Sequence, residues 1–210
     1  MNSHLAAFEV DDQAFEGQRK GTRRQHAFSV LTSSETNEWY TPEDVVNAAR
    51  EVMGGHIELD PASCLEANEK YVHAERFYSI EDDGFNQTWK AKTLWLNPPY
   101  GQRGLDKDTG RYNHGAAAWL NSAIGAYRQN FTGEAVLLCR GDSEAVTWLY
   151  ENTIVCIARR ISFEKPGGGK GSGAVPGTKI AYLGNNWDKF ADLLSPFGSI
   201  VVPHSRCVLK

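Results

Sequence analysis

Apolar residues recur along this chain with two alternating periods, one helical and one compact enough for buried strands. The first clear segment places Val45, Val46, Ala49, Val52 and Met53 on one helical face. Thr41 suits its N-cap and Pro42 its first helical position. Glu43 and Asp44 complement the positive end of the dipole, and Gly54-Gly55 stop it. Residues 56–59 then read as a strand, and Ser63 with Glu66 has the spacing of a capping box. Between 70 and 90 the pattern gives no clear element. Thr93-Leu94-Trp95-Leu96 is short and bulky, with Lys92 before it and two prolines just after, so it predicts a buried strand that stops abruptly. A helix over 115–130 ending near Gly133, a strand at 134–139, a helix at 143–151 and a strand at 153–158 follow. A further strand starts at Ile161 and breaks into a glycine-rich run. A strand at 178–183, a helix at 187–194 and a strand at 199–202 complete the series. Trp95, Trp119, Trp148 and Trp187 fall at core or core-rim positions. The alternation predicts a three-layer α/β sandwich with a mostly parallel sheet, and the late hairpin predicts an antiparallel strand near one edge.

Composition narrows the class without changing the fold. With 210 residues and 41% hydrophobic content, one good core and one domain over 35–210 are expected. Residues 1–34 lack sustained periodicity and read as a flexible arm bearing the basic cluster Arg19-Lys20 and Arg23-Arg24. Cys64, Cys139, Cys156 and Cys207 show no paired spacing, and the six histidines show no metal-ligand spacing. A reducing, cytoplasmic protein without a metal is the expectation. There is no apolar signal core, and no run approaches the roughly 18 apolar residues of a membrane span. The formal charge is −4, unevenly distributed. Residues 31–96 hold 13 acidic and 5 basic residues, whereas 97–180 hold 7 acidic and 10 basic, so the second half is the one suited to phosphates.

That basic half opens with Asn97-Pro98-Pro99-Tyr100, at the predicted carboxyl end of the 93–96 strand. Open α/β sheets bind ligands at such ends. The tetrapeptide offers an amide oxygen on Asn97, a backbone carbonyl on Pro98, a rigid turn from Pro98 and Pro99, and on Tyr100 a flat ring for stacking. Two acceptors beside an aromatic face suit a planar polar group, which the ring can stack on and the acceptors can hold. Asn97 is no general base at ordinary pH, so its expected role is orientation and polarisation. The stretch 101–114 is polar and too long for an ordinary connection, which points to function. Lys170 in the glycine-rich run invites a phosphate-loop reading. That pattern fails, because Gly171 stands where Ser or Thr must follow the lysine.

Three segments in order, 39–46 (Trp39-Tyr40-Thr41-Pro42-Glu43-Asp44-Val45-Val46), 57–63 (Ile57-Glu58-Leu59-Asp60-Pro61-Ala62-Ser63) and 97–101 (Asn97-Pro98-Pro99-Tyr100-Gly101), resemble the small phage-type DNA N-6-adenine methyltransferase (Dam) family over roughly residues 35 to 205. The resemblance implies a Rossmann-like fold, S-adenosylmethionine as cofactor, and methylation of the N6 amine of adenine in double-stranded DNA. The target base is then flipped onto Tyr100. It also implies cytoplasmic action, in a host cell if phage-encoded. Asn97, Pro98, Pro99 and Tyr100 become the catalytic residues. Asp60, with Pro61, Ala62 and Ser63, is placed by the methionine amino group. Tyr40, Thr41 and Pro42, at a helix start, are placed by the methionine carboxylate, and Asp82 or Asp83 by the adenosine. Arg103, Lys107 and Arg111, with Lys165 and Lys170, are the expected DNA contacts, on two stretches (101–114 and 165–175) expected to be mobile until DNA orders them. The same chemistry leaves open an RNA base or a protein glutamine as substrate, or a noncatalytic nucleic-acid-binding protein on this fold.

Overall fold

The structure, a computed structural model, describes residues 39–107, 110–166, 169–170 (backbone) and 177–204. The arm expected at 1–34 lies outside them, as do Cys207 and most of the glycine-rich run. The chain enters α1 (Glu43–Val52), passes through β1 (Leu59–Asp60), the short α2 (Leu65–Ala67) and a π-helical turn (Asn68–Val72) to β2 (Arg76–Phe77), then reaches β3 (Ala91–Leu96). Next come the hairpin β4 (Gly104–Leu105) and β5 (Tyr112–Asn113), α3 (Ala116–Arg128), β6 (Thr132–Cys139), α4 (Glu144–Asn152) and β7 (Ile154–Ala158). The small hairpin β8 (Glu164–Lys165) and β9 (Gly169–Lys170), β10 (Lys179–Leu183), α5 (Trp187–Leu194) and β11 (Gly198–Val201) complete the chain.

Seven strands form one sheet in the order β11-β7-β10-β6-β3-β1-β2. β1, β2, β3, β6 and β7 run one way, with parallel pairs β1–β2, β1–β3 and β3–β6. β10 runs oppositely between β6 and β7, and β11 runs oppositely on the edge beside β7. The expected mostly parallel sheet with reversed strands toward one edge is therefore present. Strand periodicity builds the two faces. Trp95, Val136, Leu138, Ile154, Cys156, Ile180 and Tyr182 pack with α1 and α5 on one side. Their neighbours Leu94, Leu96, Ala135, Leu137, Val155, Ala181 and Leu183 pack with α3 and α4 on the other. Helices on both faces make three layers. The α1 face buries Val45, Val46, Ala49 and Val52 almost completely, at about 2 kcal/mol for each valine.

Two helix starts differ from expectation. α1 begins at Glu43 with Pro42 in the cap position, its carbonyl accepting from Val45 and Val46 N–H. The Thr41 hydroxyl is turned to Asn97 instead of capping. α2 is capped by Cys64, whose Sγ accepts from Ala67 N–H, and not by Ser63. Ser63 N–H is drawn to the Tyr78 carbonyl, in the continuation of the β1–β2 pairing. The region from 70 to 90 holds β2 and a 3-10 turn at Gly84–Asn86, too short for any periodicity to register. Among the described residues no helix is long and apolar enough to cross a membrane.

Candidate active site

The strand order places the site. From β1 the chain moves outward to β2, then returns to lay β3 against the other side of β1. The direction of winding reverses there, and the carboxyl ends of β1 and β3 lie side by side at the kind of point where open α/β sheets take ligands. Asp60 is the last residue of β1, and Asn97 follows the last residue of β3. The reaction motif and the Asp-Pro-Ala-Ser segment, 37 residues apart in sequence, thus meet at one switch point.

Asn97 is held by the segment before α1. Its Nδ2 donates to the Trp39 carbonyl (3.1 Å) and to Thr41 Oγ1 (3.2 Å). A carbonyl only accepts, so this pair settles which end of the amide is nitrogen. Asn97 Oδ1 is then left buried with no hydrogen-bond partner. Leaving a buried acceptor unpaired costs about 1–3 kcal/mol, which a ligand N–H would return. Pro98 is buried and Pro99 exposed. Tyr100 is half-buried: its hydroxyl donates to the Leu138 carbonyl (3.3 Å), and burial pushes it well above the usual tyrosine range.

Asp60 is 2% exposed, and its Oδ1 accepts from Ala62 N–H at 3.1 Å. Burial raises its pKa to about 7, partly offset by the Ala62 N–H and the nearby Ser63 hydroxyl. Among the described residues no cation is a cause of this shift. Ser63 Oγ is, among the described residues, the second buried side-chain atom without a hydrogen bond of normal geometry, despite its influence on Asp60. A buried carboxylate without a counter-cation, beside an unsatisfied hydroxyl, fits a ligand that carries an ammonium group.

The remaining expected residues divide. Tyr40 is buried, its hydroxyl donating to Glu66 Oε2 (3.1 Å) and lying 3.4 Å from Cys64 Sγ; burial first, then these partners, raise its pKa. Its backbone pairs with Glu164, whose carboxylate also accepts from the Tyr71 hydroxyl. Tyr40 therefore ties the segment bearing Thr41 to the rest of the fold. Asp82 and Asp83 are exposed. Asp82 Oδ2 accepts from Ser79 N–H and Oγ, both at 2.8 Å, which lowers its pKa, and Asp83 Oδ2 accepts from Asn86 Nδ2 at 2.8 Å. Both carboxylates shape their own turn. That turn is nonetheless clamped to the site: a Cβ on buried Gly84 would sit 2.0 Å from the Pro61 carbonyl, so only glycine lets it approach.

The stretch after the motif carries a short hairpin, β4 paired with β5; residues 108–109 lie outside the described ones. Asp106 N–H donates to the Arg111 carbonyl, and at its base His114 stacks on Phe85 at 3.7 Å. Arg103, Lys107 and Arg111 are exposed along it. Arg103 Nε donates to the Tyr112 hydroxyl, and Arg111 pairs with Glu81 at 3.9 Å. The cross-strand pair Leu105 and Tyr112 is 66% and 49% exposed, an apolar tip absent from the sequence reading. In the second stretch, Glu164–Lys165 pairs with Gly169–Lys170. Lys165 Nζ lies 5.7 Å from the Trp39 ring centre. The Lys170 side chain and residues 167–168 and 171–176 lie outside the described residues. The sequence alone gives no signal for Trp39 as a holder of Asn97, nor for Arg140, a basic residue directly after β6 in the basic half.

The layered sheet, with Asp60 and Asn97 at its switch point, defines a Rossmann-like methyltransferase fold. The sequence model of the DNA N-6-adenine-methyltransferase (Dam) family matches residues 29–203, and the chain belongs to that family. No curated protein and no solved structure matches the chain.

Proposed function

We propose that the protein methylates N6 of adenine in double-stranded DNA from S-adenosylmethionine, on a target base swung out of the duplex. The observation that carries this reading is Asn97: its amide nitrogen is fixed by two acceptors, and its Oδ1 is buried and unpaired. Bound S-adenosylmethionine supplies an electrophilic methyl group on a sulfonium. Asn97 Oδ1 and the Pro98 carbonyl accept the two N–H groups of the adenine amine, drawing it toward tetrahedral geometry and localising its lone pair. Alignment of this kind contributes several kcal/mol to a transfer step. Asn97 takes no proton; the proton released after transfer goes to solvent. Tyr100, anchored through its hydroxyl to Leu138, offers its ring to the flipped base.

Asp60 receives the cofactor's ammonium group, which turns its isolated carboxylate into a paired one, and Ser63 Oγ gains a partner in the same event. Pro61 and Ala62 line the approach. The Tyr40-Thr41-Pro42 segment borders the methionine end, and the turn bearing Asp82 and Asp83, packed on Pro61, borders the adenosine. Arg103, Lys107, Arg111, Lys165 and Lys170 meet phosphates. The exposed Leu105 and Tyr112 stand among the hairpin cations, where apolar contact with bases is available. Action in the cytoplasm follows from this substrate and from the free thiols of Cys64, Cys139 and Cys156. The test is incubation with labelled cofactor against duplex DNA, RNA and protein, followed by nucleoside analysis. Label in N6-methyladenine from duplex DNA is the expected result; label confined to RNA or protein would reassign the substrate.

A further inference from the structure

Arg140 follows the last residue of β6 and is half-buried. Its guanidinium carbon lies 4.8 Å from the centre of the Tyr100 ring and 6.0 Å from that of the buried Phe163. Five N–H donors are thus set against aromatic faces, with no hydrogen bond or ion pair among the described residues. The nearby carboxylate does not serve it: Asp142 Oδ1 pairs with Lys179 Nζ (3.1 Å), which also donates to the Gly141 carbonyl and so ties down the loop that carries Arg140. A cation with no acceptor among the described residues covers one face of the ring assigned to stack on the target base.

We propose that Arg140 is a DNA phosphate ligand parked on Tyr100 in the free protein, and that its departure to a phosphate bares the ring for the incoming base. The inference rests on the function proposed above, because the need for a bare Tyr100 comes from base stacking. Guanidinium binds aromatic faces modestly and phosphates bidentately, so a phosphate is the stronger partner and the exchange runs toward DNA. Duplex binding and the opening of the base slot then become one coupled event. The face that Arg140 covers is bared only once a backbone is present.

The test uses the full chain and a duplex built only of G·C pairs, which contains no adenine to flip or methylate. In R140Q the slope of log affinity against log salt on this duplex should fall by roughly one, while cofactor affinity stays unchanged and R140K keeps the wild-type slope. Tyr100→Leu removes the nearer of the two aromatic faces on which Arg140 rests. It should bind the same duplex about two- to fivefold more tightly, a gain absent from the Y100L/R140Q double variant. An unchanged slope in R140Q, an equal loss of slope in R140Q and R140K, or no gain in Y100L would each overturn the proposal. The function itself is judged separately, by whether wild-type protein methylates adenine-containing duplex. Failure there leaves the G·C binding results to be read on their own.

Discussion

Asn97 shows how one side chain can be both satisfied and waiting. Its nitrogen is saturated by Trp39 and Thr41 while its oxygen has no partner, so the amide cannot rotate to relieve the oxygen without losing both donations. Thr41→Val removes one of those two acceptors and should leave the amide freer to turn. Turnover should fall about tenfold, equivalent to about 1.4 kcal/mol, with cofactor affinity kept. Single-turnover methylation beside calorimetry checks this; unchanged turnover would show that Trp39 alone suffices to hold the amide. Asp60 is waiting in the opposite sense, as a carboxylate buried without a cation. With its folded pKa at about 7 against an ordinary value near 3.9, the native state binds this proton more tightly than the unfolded chain. Cofactor-free stability should therefore decline as pH rises from about 4 to about 7, by on the order of 4 kcal/mol, and level off above. Asp60→Asn should abolish that decline, raise the melting temperature of the cofactor-free protein at pH 8, and weaken cofactor binding. Denaturation at several pH values with and without cofactor measures all three; an Asp60→Asn variant less stable than wild type at pH 8 would contradict the account of Asp60.

At the scale of elements, the β4–β5 hairpin carries three of the cations of the proposed DNA surface. It places Arg103 and Arg111 near its partner strands and leaves Leu105 and Tyr112 in water. Replacing Arg103, Lys107 and Arg111 together by Ala should reduce the salt slope of DNA binding by up to about three, less where Arg111 remains with Glu81, and leave cofactor affinity untouched. An unaltered slope would move the phosphate contacts to the β8–β9 side. The same hairpin marks a limit of reading from sequence. β3, β6, β10, α1 and α5 are legible because long apolar runs or a full helical face announce them. The hairpin and β2 are not, since two-residue pairings have no period and their stability comes from partners far away, such as Phe85 under His114. Helix starts mislead for a related reason. Thr41 and Ser63 look like caps locally, but Asn97 and Tyr78 compete for their hydroxyl and N–H across the fold.

For the molecule as a whole, the winding of the sheet turns separate motifs into one site. Asp60 and Asn97 are recognisable in sequence as types and as members of motifs; that they end adjacent strands at the reversal of winding depends on β3 returning beside β1. Around that point stand Asp60 from the acidic first half and, from the basic second half, Arg140 on Tyr100 and Lys165 beside Trp39. Arg140 belongs to neither motif, and only the fold sets it on Tyr100. The division of labour predicted by this layout is that Asp60 serves the cofactor and Asn97 the target amine. The most direct measurement compares wild type and Asn97→Ala by calorimetry with S-adenosylmethionine and by methyl transfer to duplex DNA with nucleoside analysis. The expected result is N6-methyladenine from wild type, closely similar cofactor affinities, and transfer by the variant reduced by several orders of magnitude. Near-wild-type transfer by Asn97→Ala in the presence of normal cofactor binding would contradict it.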